Sequence, residues 1–377
     1  MSGEARVSDE ITADQVPFRD ALVVWMRVAA LSFGGPAGQI AVIHRILVEE
    51  KKWVSEQRFL GALNYCMLLP GPEAQQLATY IGWILNGARG GLTAGLLFVL
   101  PGFVAILLLS FLYVGFRDVG LVAVILAVVL DAVRRVGART LKTAVSWSIA
   151  AAAFVGIFFL DVRFPVIVIG AGLLGFFGAR FWPAQFISNA HAEAFEVSDS
   201  RVSPSWRRAV KIIGVFVPLW FAPIVFAFWM FGGENVFVHL GLFFSKMAVV
   251  TFGGAYAVLS YVAQEAVQNF GWLRPGEMID GLGLAESTPG PLIQVVQFVG
   301  FLAAFRDSGG LDPWIAAVLA SLLVTWVTFV PCFLWIFLGA PYIERLQENR
   351  HLSAALSAIT AAVVGVILNL AVWFALN

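Results

Sequence analysis

The same Pro-Gly-Pro triplet occurs twice in this chain, at residues 70–72 and 289–291, each time inside a segment apolar enough to lie in a bilayer. Proline donates no amide hydrogen bond and clashes with the preceding turn, so each triplet is predicted to split its helix into two halves. Backbone groups freed at membrane depth are tolerated only where protein or a water-filled cavity receives them. A helix that restarts after the triplet points its N-terminal amides at the break, which favours an anion there.

Landmarks around the two triplets recur at one fixed spacing along the chain. This spacing equals the number of residues from Gly71 to Gly290, and we call it the repeat spacing. An ungapped register through so many uncommon residues predicts an internal duplication. The matched pairs are Arg27 and Lys246, Gly34 and Gly253, Gly35 and Gly254, Trp53 and Trp272, Gly71 and Gly290, and Gln75 and Gln294.

The composition is typical of a polytopic helical membrane protein, so the expected fold class is all-α. Of the 377 residues, 60% are hydrophobic and 13% are charged, whereas soluble domains carry about 25% charged residues. The 24 basic residues equal the 24 acidic ones, which gives no indication of a nucleic-acid partner. The two cysteines make neither a disulfide framework nor a zinc signature. Residues 1–17 are polar, and no cleavable signal sequence is expected.

Eleven apolar segments are predicted, each near or above the length of about 20 residues that crosses a bilayer. Four belong to the first copy, three link the copies, and four belong to the second copy. The predicted units are a cytoplasmic tail at 1–17, a first repeat at 18–142, linking segments at 143–235 with a cytoplasmic loop at 183–211, and a second repeat at 236–377.

The orientation follows from the basic loops at 134–142 and 180–211, which are placed in the cytoplasm together with the N-terminus. If each broken segment crosses once, seven crossings separate the two repeats, and an odd number makes them inverted. This reading places Lys51 and Lys52 outside, which contradicts the rule that basic loops face the cytoplasm. The alternative is that the Pro-Gly-Pro segments are re-entrant hairpins, which makes the copies parallel. Inversion is favoured because it brings two helix breaks face to face at the midplane.

The predicted substrate site lies between the breaks. Arg27 and Lys246 each precede a glycine pair by seven residues, about two helical turns, and two such cations suit a doubly charged anion. Alternatively, the cations extend to an interface and the glycine pairs only allow close helix packing. The candidate binding residues are Arg27, Gly34, Gly35, Pro70, Gly71, Pro72, Gln75, Lys246, Gly253, Gly254, Thr288, Pro289, Gly290, Pro291 and Gln294.

The copies differ in their acidic residues. Glu73 follows the first triplet where the second copy has Leu292, and Glu286 precedes the second triplet where the first copy has Met67. Both carboxylates are candidates for proton coupling, and Glu73 is equally suited to capping its own helix. No catalytic or nucleotide-binding motif is present, and no metal site or cofactor is predicted.

Two long runs resemble the signature of the chromate ion transporter family. The first is Leu-Pro-Gly-Pro-Glu-Ala-Gln-Gln-Leu-Ala-Thr-Tyr-Ile-Gly-Trp at 69–83, followed by Arg-Gly-Gly at 89–91. The second is Gly-Leu-Ala-Glu-Ser-Thr-Pro-Gly-Pro-Leu-Ile at 283–293, followed by Gln-Phe-Val-Gly-Phe at 297–301. The resemblance covers nearly the whole chain as the two-domain, long-chain form. The basic residues at 134–142 depart from it, because the second copy has no counterpart.

The resemblance implies a multi-pass protein of a bacterial or archaeal inner membrane that exports chromate, an oxyanion of sulfate's shape, and so confers chromate resistance. Family members are treated as secondary transporters with halves of opposed orientation, driven by protons or by exchange. One alternative is uptake or exchange of sulfate or another oxyanion. A membrane-embedded lipid-modifying enzyme is a third reading, but it needs a clustered site that the sequence lacks. The coupling ion and the oligomeric state stay open.

Overall fold

A computed structural model of the chain describes residues 16–115, 141, 143–181, 205–342 and 354–368, except positions 34, 161, 163, 253, 254, 356, 363 and 367. All regular secondary structure in these residues is helical, which confirms the predicted fold class. By length and composition, three of the described helices can cross a membrane, namely Glu73–Gly115, Trp206–Phe231 and Pro313–Gly339.

The order of helices in the first part of the chain is repeated in the last part, and three described helices link the two parts. They are α1 (Phe18–Leu31), α2 (Gly35–His44) with a π-helical extension (Arg45–Glu50), α3 (Glu56–Met67), α4 (Glu73–Gly115), α5 (Ala144–Phe158), α6 (Phe164–Phe181), α7 (Trp206–Phe231), α8 (Val236–Val250), α9 (Ala255–Gln264) with a π-helical extension (Glu265–Asn269), α10 (Glu277–Ser287), a 3-10 turn (Leu292–Gln294), α11 (Val295–Arg306), α12 (Pro313–Gly339) and a 3-10 turn (Ala340–Tyr342).

Both Pro-Gly-Pro triplets interrupt their helices, as predicted. The first lies in the gap between α3 and α4, and the second lies between α10 and the 3-10 turn that leads into α11. Gly71 has a φ of 123° and Gly290 a φ of 105°, which only glycine adopts without strain. Helix α4 is itself divided, because Asn86 and Gly87 are not helical. Its first arm covers residues 73–85 and its second arm covers residues 88–115.

The segments broken by Pro-Gly-Pro fold back on themselves. The Arg306 guanidinium at the end of α11 forms an ion pair with Glu277 at the start of α10, and it donates to the Trp272 carbonyl at 2.7 Å. In the first copy, the rings of Tyr65 in α3 and Tyr80 in α4 are 5.3 Å apart. In a straight helix, 15 residues span about 22 Å. The two arms of each broken segment therefore lie side by side.

The segments broken at Phe-Gly-Gly fold back as well. The rings of Phe243 in α8 and Tyr261 in α9 stack at 6.1 Å, although the two residues lie on opposite sides of the break. In the first copy, Arg27 in α1 forms an ion pair at 2.7 Å with Glu50 at the end of the extension of α2. In the described residues, each copy thus begins with two helical hairpins followed by one long helix.

The hairpins change the predicted path of the chain. A single crossing by each broken segment was the favoured reading, and the structure shows the fold-back alternative, because both ends of each segment lie together. The arms explain this result physically. Helices α10 and α11 have 11 and 12 residues, a length of about 17 Å, and one such arm reaches only to about the middle of a hydrocarbon core of about 30 Å.

The element bounds recur with the spacing of the sequence landmarks. Helix α1 ends at Leu31 and α8 at Val250, and the π-helical extensions end at Glu50 and Asn269. Each of these pairs is separated by the repeat spacing. The two halves also exchange core residues, because Phe333 and Phe337 of α12 pack in the apolar cluster formed mainly by α1 to α4.

The hairpins predict that both ends of each Pro-Gly-Pro segment face the same side of the membrane. Cysteines placed at the exposed positions Arg274 and Asp307 flank the second hairpin, and cysteines at Gln57 and Arg89 flank the first. Within each pair, an impermeant maleimide should label both cysteines from the same side of intact cells. Labelling of one member from outside and the other only after permeabilisation contradicts the fold-back.

Candidate functional site

The tips of the four hairpins meet in two junctions that exchange hydrogen bonds between the halves. The Gly71 amide donates to the Thr251 carbonyl at 2.8 Å, and the Gly290 amide donates to the Ser32 carbonyl at 2.9 Å. The repeat spacing separates the two donors, and it also separates the two acceptors. We call these contacts the Gly71 junction and the Gly290 junction. Each joins a Pro-Gly-Pro tip of one half to a Phe-Gly-Gly tip of the other.

The two acceptor residues, Ser32 and Thr251, are fixed by hydrogen bonds within their own helices. Ser32 and Thr251 are the residues that end α1 and α8, and both are buried. The hydroxyl of Ser32 donates to the Val28 carbonyl at 2.6 Å, and that of Thr251 donates to the Met247 carbonyl at 2.5 Å. The last helical turn is satisfied in this way. The C-terminal carbonyls carry the negative end of the helix dipole, so they attract the tip amides.

The long helices close the tips from the other side. A Cβ built on Gly290 would lie 3.2 Å from the Gly102 Cα in the second arm of α4, and one built on Gly71 would lie 3.0 Å from the Cys332 Sγ in α12. Each contacted residue directly follows a proline within its helix. The tips therefore rest against the long helix of the opposite half, with no room for a side chain.

Buried glutamines bind backbone carbonyls around the tips. The Gln76 side chain donates to the Pro70 carbonyl at 2.7 Å within its own hairpin, whereas Gln39 donates to the Gly290 carbonyl in the other half. Gln294 donates to the Val99 carbonyl of α4 at 3.2 Å. Gln75 donates to the Thr79 hydroxyl at 3.1 Å. The predicted residues Gln75 and Gln294 thus lie beside the tips; Gln294 joins its tip to α4 of the other half, whereas Gln75 bonds within its own helix.

A small cavity lies at the Gly71 junction. Its volume is about 10 Å³, roughly the space of one water molecule. It is lined by Gly71, Pro72, Phe244, Met247, Ala248, Thr251, Val258, Ile293, Val296 and Thr328. A tetrahedral oxyanion has five heavy atoms, so the cavity of this structure is too small to hold one.

The two predicted cations lie outside this cavity. The Arg27 side chain is 49% exposed and is paired with Glu50 at 2.7 Å. Lys246 is also exposed, on the helix whose opposite face lines the cavity. The two cations keep the repeat spacing in the sequence, and their part in substrate binding stays a prediction.

The other predicted site residues divide into three groups. Gly34, Gly253 and Gly254 lie outside the described residues. The tip residues Gly35, Pro72, Thr288 and Pro291 are buried, while Pro70 and Pro289 are partly buried. The Thr288 hydroxyl donates to the Ala285 carbonyl at 3.1 Å and so caps α10. The proton-coupling candidates Glu73 and Glu286 are partly buried at the edges of the tips.

Ser32, Thr251 and Gln39 were not among the residues predicted from the sequence. A signal existed for the first two, because a hydroxyl residue precedes Phe-Gly-Gly in both copies. Gln39 carries no such signal, since the equivalent residue of the second copy is Val258. Its role depends on a carbonyl that only the folded chain brings to it.

Comparison with known proteins gives one consistent result. The family model described as chromate transporter matches residues 19–176 and 238–377, and the starts of the two regions are separated by the repeat spacing. The chromate transport protein of Pseudomonas aeruginosa is 31% identical over 358 residues, which cover 91% of this chain and 77% of that protein. The chromate transport protein of Cupriavidus metallidurans is 26% identical over 367 residues, which cover 94% and 82%. No solved structure matches the chain.

The tip glycines should tolerate no side chain. Gly71→Ala and Gly290→Ala each add a Cβ at a positive φ, with a neighbouring atom 2.8 Å away at Gly71 and 3.2 Å away at Gly290. We expect a loss of roughly 2 kcal/mol in the free energy of unfolding, from backbone strain and overpacking. Thermal unfolding in detergent measures it. Gly214→Ala in α7 is the control, because nothing lies within 4 Å of that Cβ. Equal melting of all three variants contradicts the junctions.

Proposed function

The chain belongs to the chromate transporter family, and from that premise we propose that it exports chromate across the inner membrane as a secondary transporter, through the hairpin tips. Proteins of this family are transporters and not enzymes. The observation that carries the proposal is the pair of reciprocal hydrogen bonds at the Gly71 and Gly290 junctions. Each bond brings the polar backbone of a Pro-Gly-Pro break together with that of a Phe-Gly-Gly break inside an apolar protein.

The tips offer the chemistry that an oxyanion needs. Helix α4 begins at Glu73, and the helical turn of the second copy begins at Leu292, so two helix N-termini start at the tips. The first amides of these helices and the positive ends of their dipoles favour a negative charge. In this structure the tip amides donate to helix C-terminal carbonyls. An oxyanion that replaces those carbonyls supplies the tip amides with an acceptor that carries a full charge, so the hydrogen bonds of the amides are kept.

We further propose that the two halves are copies of one unit with inverted orientation. Hairpins return to the side from which they enter, so only the long helices reverse the chain. Five crossings then separate the start of the first repeat from the start of the second, if the second arm of α4, the segment predicted near 119–133, α5, α6 and α7 each cross once. The segment near 119–133 lies outside the described residues. Five is odd, so the long helices run in opposite directions.

The distribution of basic residues supports this orientation. With the hairpins, the loop at 45–58 returns to the side of the N-terminus and of the basic loops at 134–142 and 183–211. This loop carries four Lys or Arg residues, whereas the corresponding loop at 265–277 carries only Arg274. Both loops follow the positive-inside rule when the N-terminus is cytoplasmic. Lys51 and Lys52, which contradicted the rule in the reading with single crossings, now lie inside.

Flux into everted membrane vesicles tests the function. Vesicles that contain the protein should accumulate chromate faster than vesicles without it, because the cytoplasmic face points outward and export becomes uptake. Dissipating the proton gradient should slow the uptake if protons drive it, whereas exchange with a preloaded anion would persist. Uptake of sulfate with no uptake of chromate, or accumulation only in right-side-out vesicles, contradicts the proposal of chromate export.

The same assay identifies a proton carrier. Glu73→Gln and Glu286→Gln each remove a charge at the edge of a tip while keeping the shape of the side chain. The variant that lacks the coupling carboxylate should still bind chromate but should lose its dependence on the gradient. Gradient dependence equal to that of the wild type in both variants excludes both carboxylates.

The cations make a separate prediction. Lys246 is exposed on the face of α8 opposite the one that lines the cavity, whereas Arg27 is engaged with Glu50. We expect Lys246→Ala to raise the chromate concentration for half-maximal flux about tenfold, which corresponds to the loss of one charge interaction of about 1.4 kcal/mol. Lys246→Arg keeps the charge and serves as the control. Unchanged half-saturation in Lys246→Ala and in Arg27→Ala places both cations outside the transport path.

A further inference from the structure

The Gly71 and Gly290 junctions differ at one buried position. Gln39 in α2 and Val258 in α9 are equivalent residues of the two copies, and each is 1% exposed. One can bind a backbone carbonyl, and the other cannot. The two junctions contain equivalent backbone hydrogen bonds, and they differ in this side chain.

At the Gly290 junction, both backbone groups of one residue are bound by the opposite half. The Gly290 amide donates to the Ser32 carbonyl at 2.9 Å, and the Gly290 carbonyl accepts from the Gln39 side chain. Ser32 and Gln39 belong to the same hairpin, on either side of its tip. The Gly290 tip is therefore fastened to that hairpin at two points.

At the Gly71 junction, the fastening is weaker. Among the backbone hydrogen bonds of the described residues, the one from Gly71 to Thr251 alone joins this tip to the α8–α9 hairpin. The nearby glutamine, Gln76, binds the Pro70 carbonyl within its own hairpin and adds nothing across the junction. Val258 has no polar atom to offer in its side chain, and it borders the cavity instead.

We propose that the oxyanion crosses the protein at the Gly71 junction only, and that Gln39 is a positioning residue that keeps the Gly290 junction closed. The inference rests on the proposed function and names the place where that function occurs. The cavity marks the site, between the Gly71 tip and the faces of α8 and α12. Thr251 and Thr328 supply hydroxyl groups to a lining that is otherwise mostly apolar.

The energetics favour this division. Separating the Gly71 tip from Thr251 breaks the one backbone hydrogen bond that joins them in the described residues. It leaves the Thr251 carbonyl without its donor, and the released Gly71 amide can bind the entering oxyanion. Separating the Gly290 tip breaks two hydrogen bonds and leaves two carbonyls, those of Ser32 and Gly290, which an anion that offers only acceptors cannot satisfy. A buried polar group without a partner is costly, most of all away from water. One junction is thus suited to opening, and the other is suited to serving as a fixed pivot.

Exchanging the two residues tests the inference in flux assays. Val258→Gln should fill the cavity and fasten the Gly71 tip as Gln39 fastens the other, and chromate flux should fall by tenfold or more, a difference of about 1.4 kcal/mol or above. Gln39→Val should lower the flux less than Val258→Gln does. Val258→Leu, which adds volume without a hydrogen bond, separates filling from fastening. Greater damage by Gln39→Val, or full flux in Val258→Gln, overturns the inference.

Thiol reactivity tests it without relying on transport or on a folded Val258→Gln variant. In a chain with Cys66→Ala and Cys332→Ala, a single cysteine replaces either Thr251 or Ser32, the two equivalent acceptor residues. A small methanethiosulfonate reagent should modify the cysteine at Thr251 roughly fivefold faster or more, since one extra hydrogen bond is worth about that factor in an opening equilibrium. Adding Gln39→Val should raise the rate at Ser32.

Two results of the thiol experiment overturn the inference: equal or faster reaction at Ser32 in the parent chain, and an unchanged rate at Ser32 when Gln39→Val is added. Its failure can be told apart from failure of the proposed function. If vesicles with the parent protein take up no chromate, the function is wrong, yet the thiol rates still report which junction opens.

Discussion

Two backbone hydrogen bonds between the halves hold the centre of this structure. At each Pro-Gly-Pro tip the chain has left its helix, and in hydrocarbon no water is present to satisfy the released amide. The amides of Gly71 and Gly290 are satisfied by carbonyls that end helices of the opposite half. The short arms make this exchange necessary, because each arm ends near the middle of the protein, where its tip is covered by another tip on one side and by a long helix on the other. Neither half satisfies the amides of its own Pro-Gly-Pro tip without the other half.

The sequence predicted where the helices break but not where the chain goes afterwards. The breaks follow from local chemistry, because proline lacks an amide and glycine adopts a positive φ. The direction after a break depends on contacts between residues far apart in the chain. Arg306 reaches Glu277, and Tyr65 meets Tyr80, only when the arms lie side by side. Nothing in the hydrophobic pattern of either arm distinguishes a kinked helix from a hairpin.

The candidate site was likewise predictable where local sequence decides and unpredictable where contacts between distant residues decide. The repeat register located both tips and could have located Ser32 and Thr251, since hydroxyl residues hold the same place in both copies. Arg27 was predicted as a pocket cation from its place before the glycine pair, whereas its ion pair with Glu50 could not be predicted, because only the hairpin brings the two residues together. Gln39 shows the limit of reasoning from repeats. Gln39 matters because the second copy has Val258 at the equivalent position, and a search for residues that match between the copies passes over such a difference.

The exchange of tips has a consequence for how the protein is made. Ribosomes deliver the chain from its N-terminus, so Gly71 is synthesised long before its acceptor Thr251, and Ser32 waits longer still for its donor Gly290. At about 5–20 residues per second, the first half spends roughly 10 to 50 s with its tips incomplete. During that interval its hairpins depend on the insertion machinery or on lipid headgroups for shelter. A nascent chain stalled in this interval exposes unsatisfied backbone inside the membrane, a feature by which membrane quality control can distinguish an unfinished molecule from a finished one.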